Sequence, residues 1–109
     1  MKQQRLLVAL LFCGSIIASS AADPKSNWKE HCAKCHGADG KGNTRTGRKL
    51  AVRDLTDPKV HADFTDEQAI EVMKSGLMND KGKVTMKPVK GLSDEEYKAL
   101  VPYLRSLKR

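Results

Sequence analysis

Cys32-Ala33-Lys34-Cys35-His36 decides how this chain is read. Two thiols separated by two residues, with a histidine directly after the second, form the attachment signature of c-type haem. Each thiol at this spacing can bond one vinyl group of a single haem. The adjacent His36 then lies where its imidazole can ligate the iron. The pentapeptide therefore supplies a covalent tether, Cys32 and Cys35, and one axial ligand, His36. A Gly-rich segment follows at once, Gly37-Ala38-Asp39-Gly40-Lys41-Gly42-Asn43, whose glycines let backbone pass close to something flat.

The chain has 109 residues, enough for one small domain. Residues 1–22 read as a secretory signal: a basic start at Lys2 and Arg5, an apolar run from Leu6 to Ala18, and small residues Ser20-Ala21-Ala22 at the cleavage point. That run is shorter than the roughly 20 apolar residues a membrane span needs, which leaves an uncleaved membrane anchor as the lesser alternative to cleavage. Cys13 lies inside it and goes with the discarded peptide. The remaining domain, 23–109, then holds only Cys32 and Cys35 as cysteines, and few aromatics: Trp28, Phe64, Tyr97 and Tyr103. Domains this small have thin cores and commonly need a cofactor, metal or disulfide. A covalently held, flat, apolar group would fill the centre that side chains fill poorly.

The net charge is +7, from 20 basic and 13 acidic residues. Arg45, Arg48, Lys49 and Arg53 cluster in one segment, and Lys81, Lys83, Lys87 and Lys90 in another. Such clusters are either solvated loops or a positive face that steers an acidic partner. Nucleic acid is not indicated, because the basic residues are mixed with acids and lack interleaved aromatics. A thiol-exchange fold would need a strand before the cysteine pair, and none is visible. A zinc site fails on spacing, since Cys35 and His36 are adjacent.

There is no internal repeat and no linker. A first helix is predicted from Ser26 to Cys32 or Ala33, capped by Asp23 or Ser26 with Pro24 near its start. A short helical turn is expected over Arg48–Val52, and Asp57-Pro58 reads as a turn. Thr65 and Gln68 form a capping box for a helix through Ala69, Ile70 and Met73 that Gly76 ends. Ser93 and Glu96 form a second box, with Leu92 and Tyr97 as its hydrophobic staple. Tyr97, Leu100, Val101, Leu104 and Leu107 continue at helical spacing. Pro102 interrupts that pattern and predicts a kink or a shift there. No β-strand pattern is present. The fold class is all-α, with three main helices and long loops.

An iron held by His36 has a second face. Met86 and Met78 lie in the Lys- and Gly-rich loop after the third helix, Met73 lies on that helix's apolar face, and His61 precedes it. A loop can fold over a haem face while helices hold its ends, which favours Met86 and leaves Met78 and His61 as alternatives. The run Cys32 to Gly42 resembles the haem-binding stretch of small bacterial class I c-type cytochromes. Gly91-Leu92-Ser93-Asp94-Glu95-Glu96 through Leu100-Val101-Pro102-Tyr103-Leu104 resembles their C-terminal helix. The resemblance implies one covalent haem c, His36 as proximal ligand and Met86 as distal ligand. It also implies that Trp28 packs on the last helix near Leu100 and Tyr103. Three departures stand out. Lys87 separates Met86 from Pro88, where the family usually has proline directly after the methionine. No proline follows His36 before Pro58, so a backbone carbonyl near Arg45 to Gly47 is expected to accept from the histidine. Pro24 and Ser26 stand near where the family's first helix often has a glycine.

These readings converge on an exported, periplasmic one-electron carrier with a filled sixth site and no substrate turnover. Its partners are redox proteins with an acidic docking face, met in transient complexes. The competing readings are a five-coordinate haem c protein that binds a small ligand or peroxide, and a haem c subunit of a larger oxidoreductase.

Overall fold

The computed structural model describes residues 22–109; the proposed signal and Cys13 lie outside them, apart from Ala22. Helix α1, Pro24–His31, begins where Asp23 accepts from the Ser26 N–H at 2.8 Å, with Pro24 in the first turn. Proline suits this place because its missing N–H would have no intrahelical partner. After Cys32 the chain makes a short second helix, α2, Ala33–His36. Four further helices follow: α3, Arg45–Leu50; α4, Pro58–Ala62; α5, Asp66–Ser75; and α6, Asp94–Ser106. A two-stranded antiparallel hairpin, β1 Leu77–Met78 and β2 Val84–Met86, stands between α5 and α6. Leu77 pairs with Met86 and Met78 with Val84, with a bulge between the two pairs.

Both capping boxes form as expected. Thr65 and Gln68 exchange bonds of 2.9 and 3.1 Å, and Ser93 and Glu96 bonds of 3.1 and 3.2 Å. Helix α6 packs on α1 and α5 and carries the centre of the core: Tyr97, Leu100, Val101 and Leu104 are buried with Trp28, Cys32, Ala69, Met73 and Val89. Leu92 packs against the same cluster as Tyr97, as a staple requires. The Trp28 and Tyr103 rings lie 5.7 Å apart, so the expected aromatic contact between first and last helix is present.

The first helix ends at its Cys32 cap, at the expected place, and starts two residues earlier than expected. Four local expectations need correction. The turn expected at Arg48–Val52 is a helix that starts at Arg45, because Thr44 caps it by accepting from the Gly47 N–H at 2.8 Å. Asp57-Pro58 opens α4 rather than a free turn: Asp57 accepts from the Lys59 N–H at 2.9 Å and Pro58 takes the first helical position. The loop after Gly76 contains the hairpin. Helix α6 continues across Pro102. Proline removes the bond to the Lys98 carbonyl at a point where Lys98 and Pro102 are both exposed, so the acceptor is on the solvent side of the helix. Among the described residues no helix is long and apolar enough to cross a membrane.

Candidate functional site: a cleft behind the cysteine pair

Helices α2 and α3, α5, the hairpin and α6 enclose a cleft of about 700 Å³, within the usual range for a cofactor site. Cys32, Cys35 and His36 border it from one end of the chain and Met86 from the hairpin, 50 residues later. Apolar walls come from Trp28, Leu55, Val60, Phe64, Met73 and Leu104. All four expected haem-site residues are thus brought to one cleft.

The cysteine pair is held from behind. Thr44 donates its hydroxyl to the Cys35 carbonyl at 2.7 Å while capping α3. Gly47 sits so close to that carbonyl that a Cβ there would overlap it. Cys32 is buried and Cys35 half-buried, and the two are not bonded to one another. Burial, and then the neighbouring Cys35, push the Cys32 thiol up to about 11. Burial pushes His36 below the usual imidazole value, which keeps the ring neutral, the state a metal ligand must have. Trp28 donates its indole N–H to the Gly37 carbonyl at 3.0 Å, and its ring centroid lies 5.8 Å from that of His36. It therefore fixes both the backbone after the motif and one side of the imidazole.

His36 Nδ1 is buried and has no hydrogen-bond partner. No carbonyl from Arg45 to Gly47 accepts from it; the Gly47 carbonyl accepts from the Val52 N–H at 3.0 Å instead. An orphaned buried polar atom is uncommon in a core, and here it belongs to a residue that borders the cleft. Together with the apolar walls and the two thiols, this fits a haem.

The candidates for the second axial ligand separate. Met78 is 67% exposed and does not border the cleft. His61 is buried, but both ring nitrogens are engaged. Its Nε2 donates to the Leu55 carbonyl at 2.6 Å, and its Nδ1 accepts from Arg105 at 3.2 Å. Met73 borders the cleft from within the core cluster on α5. Met86 borders it from the second strand, and that strand is anchored on both sides. Gly76, at φ 75° and ψ −171°, lies against the Met86 carbonyl and Pro88. Beyond Pro88, the Val89 N–H donates to the Met73 carbonyl at 2.7 Å, and the Tyr97 hydroxyl donates to the Val89 carbonyl.

Sequence reading missed three supports. Arg105 reaches from α6 to the His61 and Phe64 carbonyls at 2.8 and 2.9 Å and to Asp66 at 3.0 Å, with its guanidinium 4.3 Å from the Phe64 ring. Asn27, buried in α1, donates to Glu96 on α6 at 2.9 Å. Thr44 carried a signal that could have revealed it, a cap residue three positions before Gly47; the other two pairs are too distant in sequence.

A small helical globule whose cysteine pair and histidine open on an apolar cleft defines the class of haem c proteins. Comparison with known proteins agrees. The cytochrome c family profile matches residues 21–108. A structure titled KustC0563 c-type cytochrome is 36% identical, with a TM-score of 0.69, covering 81% of this chain and 100% of that one. A point mutant of Kustc0563 matches at 36% identity over 80% of this chain and 100% of the other, with a TM-score of 0.66. The Kuenenia stuttgartiensis reducing HAO-like protein complex Kustc0457/Kustc0458 contains a chain that is 27% identical, with a TM-score of 0.61, over 78% of this chain and 41% of that one. No curated protein matches. The chain belongs to the cytochrome c family: it is a small class I c-type cytochrome, a haem c electron carrier with one covalently bound haem.

Proposed function

We propose that residues 23–109 form an exported carrier whose haem is tethered by Cys32 and Cys35 and ligated by His36 and Met86. The observation that carries this reading is the convergence of these four side chains, from two distant stretches of chain, on one apolar cleft. The bound haem supplies a one-electron change at its iron, and methionine–histidine ligation with burial favours the reduced state. The chain's own part is to hold and to exclude. Thr44 and Gly47 fix the cysteine pair, Trp28 orients His36, and Gly76 with Val89 holds Met86 in place. The apolar walls keep water out. A methionine in the sixth position leaves no site for substrate, so the domain by itself is a carrier and not an enzyme.

The partner is a redox protein with an acidic face. Leu77, Met78 and Val84 are the large hydrophobics exposed among the described residues, and all three lie on the hairpin. Leu77 and Val84 also border the cleft. Lys81, Lys83 and Lys87 are exposed on the same hairpin or beside it. An apolar centre with a basic rim at the cofactor's edge suits brief contacts below about 1,200 Å² and fast, salt-sensitive association. Residues 1–22 direct the chain to the periplasm, where thioether formation and partners are found together. The HAO-like complex that contains a similar domain supports a second arrangement, in which this domain works as a docked subunit of a larger oxidoreductase.

Carbon monoxide separates the closed carrier from an open haem. The ferrous protein should keep its spectrum under the gas. Rapid formation of a carbonyl adduct by the wild type would overturn the six-coordinate reading.

A further inference from the structure

Three methionines lie in the described residues, and their surroundings differ. Met73 is 6% exposed within the core cluster, and Met86 is half-buried at the cleft. Met78 is 67% exposed, more than Leu77 at 46% or Val84 at 47%, the other large hydrophobics at the surface. It is held there. Met78 is the cross-strand partner of Val84, and residues paired in this way put their side chains on one face of the hairpin. The turn beyond it is pinned by Asn79. Its N–H donates to the Lys83 carbonyl at 2.9 Å, and its side-chain oxygen accepts from the Lys81 and Lys83 N–H groups at 3.0 Å. The Met78 thioether therefore stands open to solvent beside a residue, Val84, that borders the cleft.

We infer that Met78 is a site of reversible oxidation by hydrogen peroxide, and that its sulfoxide weakens docking of the acidic redox partner. This rests on the docking face proposed above. A lone pair on the Met78 sulfur attacks one peroxide oxygen. The S–O bond forms as the O–O bond breaks, and the departing hydroxide takes the proton of the transferred oxygen and leaves as water. Sulfur gives up two electrons and the peroxide gains them. The reaction needs access to the sulfur: Met73 is closed off by the core, and Met86 has its lone pair engaged when it ligates iron. Oxidation turns a flexible apolar side chain into a polar one, and sulfoxide reductases reverse it. Between Leu77 and Val84 the new S=O loses water on docking and meets no donor from either neighbour, which costs binding. The lysine rim keeps its charge, so encounter persists while the close contact weakens.

The test treats haem-loaded protein with a modest excess of hydrogen peroxide. Trypsin cuts after Lys74, Lys81 and Lys83, which leaves each methionine of the domain on its own peptide, so mass spectrometry reads each site without any partner. One added oxygen is expected on Met78 first; an oxygen found first on Met73 or Met86 overturns the inference. The optical spectrum should stay unchanged, whereas bleaching of the haem band would overturn the carrier reading and this inference with it. Reduction is then timed with two donors: a reduced acidic ferredoxin, which must dock, and dithionite, which need not. Oxidation should slow the ferredoxin reaction on the order of tenfold and leave the dithionite reaction unchanged, and methionine sulfoxide reductase should restore the first. Met78→Leu should keep the ferredoxin rate and lose its sensitivity to peroxide. A ferredoxin rate that responds to charge reversal at Lys81, Lys83 and Lys87 but not to Met78 oxidation refutes the inference and spares the docking face. A rate indifferent to both overturns the docking face as well.

Discussion

Gly76→Ala isolates the contact that holds the Met86 strand. Gly76 has φ 75° and ψ −171°, a region open in practice only to glycine, at a cost of about 1–3 kcal/mol for another residue. A Cβ there would also overlap the Met86 carbonyl and press on Pro88. Forcing an extra carbon into a packed place costs about 1–3 kcal/mol more. The sum, about 2–6 kcal/mol, corresponds to a Tm loss of roughly 10–50 °C for a domain of this size. Gly82→Ala is the matched control: its φ is 74°, but nothing lies within 4 Å of the added carbon. It should cost only about 1 kcal/mol. Thermal unfolding followed at the haem band and by far-ultraviolet circular dichroism measures both. Because the strain falls on the Met86 carbonyl, Gly76→Ala should also, if Met86 is the sixth ligand as proposed, loosen it and let the ferrous protein take up carbon monoxide. Equal Tm losses for the two variants, with no change in ligand lability, would refute the view that Gly76 positions Met86.

Arg105→Gln removes the bonds to the His61 and Phe64 carbonyls and to Asp66. The side chain is about a quarter exposed, so screening reduces the effect to about 2–3 kcal/mol; urea unfolding should show it as a lower midpoint with unchanged slope. Asp54, Asp94 and Glu96 lie below their usual range, held there chiefly by hydrogen bonds from Thr56, Lys74 and Asn27 respectively. Depressed carboxyls bind fewer protons folded than unfolded, so their stabilisation is complete above the ordinary carboxylate range and is lost as pH falls through the folded values. Tm should therefore decline below about pH 5, and Asp94→Asn should make that decline shallower. Charge reversal at Lys81, Lys83 and Lys87 should slow reduction by an acidic redox protein at low salt and flatten its salt dependence, with the spectrum unchanged; an unaltered rate would move the docking face elsewhere.

The legible parts of the fold are those whose signal is local. Thr65 with Gln68 and Ser93 with Glu96 announce their helices within four residues, and Leu100 and Leu104 share one face by period alone. The cysteine pair and His36 are legible because their chemistry demands adjacency. Met86 stands out in the sequence only by its place in a loop, and that loop hides a hairpin: a bulged pair of strands two and three residues long has no alternation to detect. Asp57-Pro58 is ambiguous in sequence because the same dipeptide that favours a turn also caps a helix and fills its first position. The supports behind the site were invisible for another reason. Arg105 and His61 are 44 residues apart, and Asn27 and Glu96 69 apart, so neither pair exists until the helices pack. The unpartnered His36 Nδ1 is likewise a property of the folded chain alone.

The sixth ligand is tested most directly by the near-infrared magnetic circular dichroism of the ferric protein, compared with Met86→Ala, Met73→Ala and Met78→Ala. Methionine–histidine ligation gives a charge-transfer band that should be present in the wild type, survive Met73→Ala and Met78→Ala, and vanish in Met86→Ala alone. A wild-type protein without the band, or a Met86→Ala protein that retains it, would contradict ligation by Met86.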